Sequence, residues 1–224
     1  MKKTQLLQTS AESRVKLALE DSLNLYVNKL SNKYYELGLE ATMQLQLATI
    51  LQKELEQYTF FLDERFQVIL EKNVPLNGQR DYIDIVIKYH NGNKKDKFFF
   101  IELKLKKSSQ CSPNSGNVAC YIDLYKLNQH RIVKNAAGCY FVLLTDDERY
   151  TEQTSRAGAR STFPMFDGAL IEKNKLYTAN CPDVQNTFDK VGCHNGVSFD
   201  KDIKVEYENF NIGNDQYWCF YTEL

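Results

Sequence analysis

The chain has 224 residues, of which 43% are hydrophobic, and its 28 lysines and arginines against 29 aspartates and glutamates give a formal net charge of −1. This composition supports a packed core and excludes a disordered chain. It provides no overall positive field, so any nucleic-acid binding must rest on a local basic patch.

Targeting and zinc motifs are not evident in the sequence. The start, MKKTQLLQTSAES, lacks the apolar segment of a signal peptide, and no stretch is long and apolar enough for a membrane span. We therefore expect a cytoplasmic protein with no membrane partner. The six cysteines form no C-x-x-C pair, and the nearest zinc-like set (Cys181, Cys193 and His194) lacks ligand spacing. Free and mostly buried thiols are the expected state.

The first half of the chain predicts two helices followed by three strands. Apolar residues recur at helical spacing over residues 14–30. A second helix is predicted from about Tyr35 to Tyr58, and its buried stripe begins with two polar residues, Glu40 and Gln44. Strands are predicted for FQVILEKNV (66–74), YIDIVIKYH (82–90) and KFFFIELKLK (97–106), with Asn91-Gly92-Asn93 as a hairpin turn between the last two.

The second half predicts a helix, a buried strand and a less regular tail. The helix covers residues 118–133, after a polar loop at 110–117, and the strand is CYFVLLTDD (139–147). A polar loop follows at 148–162, with arginines at 149, 156 and 160, and is most simply a solvated or disordered surface. Short strands are predicted near 169–178, 203–208 and 216–222. This order indicates an α/β fold, with a mixed central sheet flanked by helices, an N-terminal helix and extra C-terminal strands.

Two acidic residues interrupt the apolar strands. Alternation puts Phe100, Glu102 and Lys104 on one face of their strand, which begins apolar and ends charged. Asp84 lies inside YIDIVI, where a buried carboxylate is costly without a partner. A cation shared by Asp84 and Glu102 would compensate both, and carboxylates with a substrate phosphate are the usual ligands of Mg²⁺. A Glu-x-Lys alone is more often a surface ion pair.

Asp84 followed by Glu102-x-Lys104 on adjacent strands, within this order of elements, resembles the PD-(D/E)XK nuclease superfamily, although Ile83 stands where that motif has proline. The segments GLEATMQLQLA, IELK, IDLYKL and YFVLLTDD are similar to a group of small bacterial proteins of this superfamily. The resemblance implies one nuclease-like domain. Its parts would be an N-terminal helical extension (1–34), a restriction-endonuclease-like αβββαβ core (35–147) and a C-terminal elaboration (148–224).

The resemblance also implies a function, the Mg²⁺-dependent hydrolysis of phosphodiester bonds, with Mn²⁺ as a substitute metal. DNA is the favoured substrate, cleaved by an endonuclease in a restriction or phage-defence setting. Asp84, Glu102 and the backbone carbonyl of Leu103 would bind the metal, and Lys104 would activate the attacking water or stabilise charge on the phosphate. Superfamily members often carry a further acid on the first core helix, for which Glu40 is the candidate and Glu54 the alternative.

Several polar side chains are candidates for contact with nucleic acid, namely Gln44, Lys106, Lys107, Lys126 and Arg131. The two lysines at the strand end fit a solubilising role equally well, and Lys126 could simply pair with Asp123 on its helix. The N-terminal helix could cover the sheet or form a homodimer contact. Two alternatives remain open: a catalytically inactive nuclease-fold module that binds nucleic acid or a protein partner, and an unrelated α/β domain whose Glu-Lys pair is structural.

Overall fold

The computed structural model describes residues 9–76, 78–92, 94–109, 113–154, 158–212 and 215–224. Helices and strands are interspersed along the described residues, with a short 3-10 turn at Glu148–Tyr150. In chain order they are α1 (Ala11–Ser31), α2 (Glu40–Gln57), β1 (Glu64–Asn73), β2 (Tyr82–Asn91), β3 (Lys97–Lys106), α3 (Pro113–Lys134), β4 (Gly138–Thr145), α4 (Ala159–Thr162), β5 (Leu170–Ile171), α5 (Pro182–Lys190), β6 (Ile203–Lys204), β7 (Tyr207–Ile212) and β8 (Asp215–Glu223).

Six strands form a mixed sheet in the order β1-β2-β3-β4-β8-β7, flanked by helices, and β5 pairs with β6 in a separate two-stranded sheet. The predicted α/β class, the mixed sheet, the N-terminal helix and the extra C-terminal strands are therefore confirmed. The narrower restriction-endonuclease-like core stays a prediction. The chain divides into two compact units, one of residues 1–101 and 131–139 and the other of residues 102–130 and 140–224. That these form one nuclease-like domain also stays a prediction.

The first unit is built on the β2–β3 hairpin. The two strands are antiparallel, with Ile85 opposite Ile101 and Ile87 opposite Phe99. All four of these side chains are fully buried and form one apolar face. Helix α1 packs on α2, and α2 packs on β1 and β2. The period of two in the sequence of β2 and β3 thus produces the buried face that the helices need.

A buried ion pair ties α1 to the strands. The guanidinium of Arg14 donates to both carboxylate oxygens of Glu64 at 2.7 and 2.9 Å, and the hydroxyl of Tyr89 donates to the same carboxylate at 2.6 Å. Burial acts to raise the pKa of Glu64, but the hydrogen bonds from Arg14 and Tyr89 outweigh it and lower that pKa to about 2. The N-terminal helix was expected either to cover the sheet or to form a homodimer contact. Within this unit, the contacts of α1 are those of a helix anchored to its own sheet.

The second unit has its own aromatic core. Tyr121 of α3 is fully buried, with the rings of Phe163, Tyr177 and Phe199 at centroid distances of 5.1, 4.9 and 6.0 Å. Every residue of β4 is buried, as its continuous apolar sequence predicts. Strand β8 pairs with β4 on one side and β7 on the other, so the tail contributes to the main sheet.

Helices α2 and α3 begin at residues other than those predicted, and a glycine or a proline explains each difference. Helix α2 begins at Glu40 rather than at about Tyr35, since Gly38 disfavours an earlier start. Helix α3 begins at Pro113 rather than at 118, because proline is well tolerated in a first helical turn. The polar loop predicted for 110–117 is therefore partly helical. Helices α4 and α5 were not predicted, because both are short and carry few apolar residues.

The predictions for Asn93 of the hairpin signal, for Arg156 of the polar loop and for Cys111, one of the six cysteines, fall outside the described residues. The described Gly92 has φ 53°, the left-handed conformation expected in a tight turn. None of the helices in the described part of the chain combines the length and apolar character that a membrane crossing requires.

Candidate functional site

The first unit brings Gln44 and Asp84 together. Gln44 lies on α2 and is buried, and its amide nitrogen donates to the backbone carbonyl of Asp84 at 2.6 Å and to the carboxylate of Glu71 at 2.9 Å. Asp84 itself is half-buried on β2. One helical amide therefore fixes the backbone at Asp84 and holds a second acid beside it.

Glu71 is the residue of this group that sequence reasoning missed. It belongs to β1, where Leu70 pairs with Ile85 and Lys72 with Ile83, so Glu71 stands across from Asp84 at a point where the pairing is interrupted. Its backbone φ is 49°, a left-handed conformation that costs a residue with a Cβ about 1–2 kcal/mol. Non-glycine residues held in this way often lie at functional sites. The only signal in the sequence was an acid in the strand-like run FQVILEKNV.

The two candidate helix acids differ in their distance from this group. Glu40 is the first residue of α2, half-buried, and one turn before Gln44. With a helix rise of about 1.5 Å per residue, Glu40 lies about 6 Å along the axis from Gln44 and Glu54 lies about 15 Å away. Glu54 also accepts a hydrogen bond from Gln57 at 3.1 Å. These positions favour Glu40 as the further acid, which stays a prediction.

The second unit positions Glu102 and Lys104 on the later half of β3. Glu102 is only 9% exposed, and its neighbour Leu103 is fully buried. The ammonium of Lys104 forms an ion pair with the carboxylate of Asp123 on α3 at 2.7 Å. Both side chains are mostly buried, at 16% and 17% exposed. An ion pair at this depth is better shielded from salt than a surface pair, so it holds the Lys104 side chain in one direction.

Two aspartates, Asp146 and Asp147, directly follow β4 in the second unit. The backbone amide of Ser108 donates to Asp146 at 2.6 Å, which ties the segment after β3 to the end of β4. Asp147 is buried and accepts two hydrogen bonds from the guanidinium of Arg149, at 2.8 and 2.7 Å, and the pair raises the pKa of Arg149. Arg160 donates to the backbone carbonyl of Glu152 at 2.7 Å. Two arginines of the predicted solvated loop are thus engaged within the fold.

The remaining candidates for nucleic-acid contact are half-buried. Lys106 ends β3, Lys107 follows it, Lys126 lies in the middle of α3, and Arg131 lies in the last turns of α3, within the first unit. Half-buried cations keep part of their charge available at the surface. Their contact with nucleic acid stays a prediction.

Among the described residues, no three His, Cys, Asp or Glu side chains are grouped so that they could hold a metal ion. In the zinc-like set of the sequence, Cys181 is exposed, Cys193 is buried and His194 contacts Asp189 at 2.8 Å. Five cysteines are described, and all five are free thiols. Mg²⁺ does not need three protein carboxylates, because it is usually held by one or two together with water and substrate phosphate. Asp84 and Glu102 as metal ligands stay a prediction.

No family model, curated protein or solved structure matches this chain.

Proposed function

We propose that the chain is a Mg²⁺-dependent nuclease that hydrolyses phosphodiester bonds, with Asp84, Glu102 and Lys104 as its central residues. The observation that supports this most is the register of the β2–β3 hairpin, in which Val86 pairs with Phe100 and Ile85 with Ile101. Because strand residues alternate, Asp84 shares a face with Val86 and Glu102 shares a face with Phe100. Continued by one residue, the register would set the two acids on the same face of the hairpin.

The protein's own oxygen atoms define the proposed metal site. The carboxylates of Asp84 and Glu102 and the backbone carbonyl of Leu103 would hold Mg²⁺, and Mn²⁺ would substitute for it. When bound, the metal would neutralise charge on the phosphate and acidify the attacking water. The burial of Glu102 lowers the local dielectric constant and so strengthens its attraction for a cation. Gln44 would keep Asp84 in place through its backbone carbonyl.

Lys104 would act on the phosphate or on the attacking water. Its ammonium lies on the charged half of β3, held by Asp123 at 2.7 Å. A lysine ammonium carries three N–H donors, and one of those of Lys104 points to that carboxylate. A fixed cation at the position where charge develops stabilises the transition state. Glu40 would supply a further carboxylate from the first turn of α2.

DNA as the substrate, an endonuclease mode of cutting and a restriction or phage-defence setting rest on the resemblance described above. Lys106, Lys107, Lys126 and Arg131 are the proposed contacts to the nucleic acid. Gln44 was a candidate as well, but it is buried and its amide nitrogen already donates to Asp84 and Glu71, so its proposed role is to position Asp84. The near-neutral net charge of −1 means that these few side chains would provide the local positive surface.

The direct test is cleavage of plasmid and linear DNA with Mg²⁺, Mn²⁺ or EDTA, by wild type, Asp84→Ala and Lys104→Ala. We expect metal-dependent cutting that falls by at least about 100-fold in both variants. Lys190→Ala, an exposed lysine at the end of α5, is the matched control and should cut normally. Cutting that persists in EDTA, or that survives in both variants, would contradict the proposal.

A second function is favoured by one observation: Lys104 already has an anionic partner in Asp123. A catalytically inactive nuclease-fold module that binds nucleic acid or a protein would keep such a pair for structure alone. DNA or RNA binding that Lys104→Ala leaves unchanged, together with no cleavage of either in any metal, would establish this alternative.

A further inference from the structure

The first unit contains a cavity of about 680 Å³ on the sheet face that carries Phe98 and Phe100. Its walls come from the end of β1, the start of β3 and the segment after α3, all within this unit. The volume falls in the range of small-molecule sites, which is about 300–1,000 Å³. None of the residues proposed above for catalysis lines it.

One part of the cavity is apolar and aromatic. Phe98 and Phe100 stand two residues apart on β3 and therefore point to the same face. Val74, Pro75 and Ala137 complete this part of the wall. Two neighbouring rings with small aliphatic groups around them favour a flat, hydrophobic ligand group, which aromatic side chains bind by stacking or edge contacts.

The rest of the lining is cationic. The ammonium of Lys72 lies 4.6 Å from the centroid of the Phe98 ring, and Lys95 and Lys134 lie at the exposed margin. Within the described part of the chain, these three lysines form no ion pair. Lysine ammonium groups next to an aromatic surface suit a ligand that is both planar and anionic.

The two acids in the lining are already neutralised by other cations. Glu12 pairs with Lys97 at 2.7 Å. Asp96 pairs with Lys88 at 2.8 Å and contacts His90 at 2.7 Å, and these hydrogen bonds hold the pKa of Asp96 below its ordinary value. Both acids therefore have their charge balanced within the fold. Lys72, Lys95 and Lys134 have no acidic partner of this kind among the described residues, so the lining of the cavity carries a net positive charge.

We propose that this cavity binds a nucleoside phosphate, with the base against Phe98 and Phe100 and the phosphate on Lys72 and Lys95. Lys134 ends α3, and the negative end of the helix dipole there opposes an anion. We therefore expect Lys72 and Lys95 to contribute more to phosphate binding than Lys134 does. The ligand is either a free nucleotide or an unpaired nucleotide of a longer strand. The proposal does not depend on nuclease activity.

The test is calorimetry of the full chain, without metal, with ATP, adenosine, pyrophosphate and a short single-stranded oligonucleotide as separate probes. ATP should bind more tightly than either adenosine or pyrophosphate, because only ATP fills both parts of the cavity. Lys72→Ala should weaken ATP binding about tenfold, and Lys134→Ala less. Phe98→Leu should weaken ATP but not pyrophosphate. Tight binding of the oligonucleotide with weak binding of ATP would show that the ligand is an unpaired nucleotide of a nucleic-acid strand rather than a free nucleotide.

Lys53→Ala is the control, since Lys53 is an exposed lysine of α2 in the same unit, outside the cavity. It should bind ATP like wild type, and thermal unfolding should show that all the variants remain folded. Two results would overturn the proposal: no binding of ATP or oligonucleotide in the millimolar range, or binding that Lys72→Ala and Lys53→Ala weaken equally. Cleavage is not measured, so a failure here leaves the proposed nuclease function standing.

Discussion

At the scale of single residues, Gln44 has the most specific role in the first unit. Both hydrogen bonds of its amide nitrogen are used, one on the Asp84 carbonyl and one on Glu71. The sequence predicts a polar residue on the buried stripe of its helix, because the helical period puts Gln44 in line with Leu47 and Leu51. The partners of Gln44 could not be predicted, since they depend on the tertiary packing of α2 against β1 and β2.

We predict that Gln44→Leu lowers the free energy of unfolding by about 1–2 kcal/mol, because it leaves the Asp84 carbonyl without this donor. Chemical denaturation monitored by circular dichroism measures the change. Gln67→Leu makes the same substitution at an exposed position of β1 and should change stability by less than about 0.5 kcal/mol. Equal effects of the two variants would show that the buried amide has no special role.

Among the secondary-structure elements, the alternation of residue types along β2 and β3 predicted the hairpin and its two faces. The predicted strand 97–106 has the bounds of β3, and its inward residues Phe99, Ile101 and Leu103 are fully buried. The helices were predicted with less accurate ends. The interruption of β1 at Glu71 could not be predicted, since a left-handed backbone conformation at a glutamate has no signature in the sequence.

The ion pair between α1 and β1 predicts a specific pH dependence. Glu64 has a folded-state pKa of about 2 against an ordinary value of 4.5, which corresponds to about 3 kcal/mol. Because the folded pKa is the lower one, this stabilisation is present above about pH 4.5 and is lost as the pH falls toward 2. Glu64→Gln should therefore be about 3 kcal/mol less stable than wild type near pH 7, with a difference that narrows in acid.

Urea unfolding at several pH values between neutral and about pH 3 measures this difference. Glu56→Gln, an exposed acid at the end of α2, is the control and should show no such narrowing. A stability difference between wild type and Glu64→Gln that stays constant across the pH range would contradict the interpretation of the buried pair.

The ion pair between β3 and α3 predicts a kinetic effect within the proposed function. Asp123 touches neither metal nor substrate in this scheme and acts by positioning Lys104. Asp123→Asn should therefore lower kcat by about tenfold with little change in KM, since it loosens a group that acts in the transition state. Single-turnover and steady-state cleavage measure both constants. A rise in KM with unchanged kcat would mean that the pair serves substrate binding instead.

At the scale of the whole molecule, the order of elements in the sequence was enough to predict the α/β class. The strands of the tail were predicted only as short segments, and their place beside β4 became clear from the pairing of Tyr140 with Glu223 and of Thr145 with Trp218. Such pairings join residues far apart in the chain, and no local pattern encodes them. The same limit applies to the candidate site, where residue types were predictable but partners such as Glu71 for Gln44 and Asp123 for Lys104 were not.

The proposed function requires that the carboxylates of β2 and β3 bind a divalent metal, and Mn²⁺ titration by calorimetry measures this binding. We predict that wild type binds Mn²⁺ and that Asp84→Asn and Glu102→Gln each abolish or strongly weaken this binding. Glu56→Gln, far along α2, should bind Mn²⁺ like wild type. Binding that neither hairpin variant changes, or no Mn²⁺ binding by wild type in the presence of DNA, would contradict the proposed metal site.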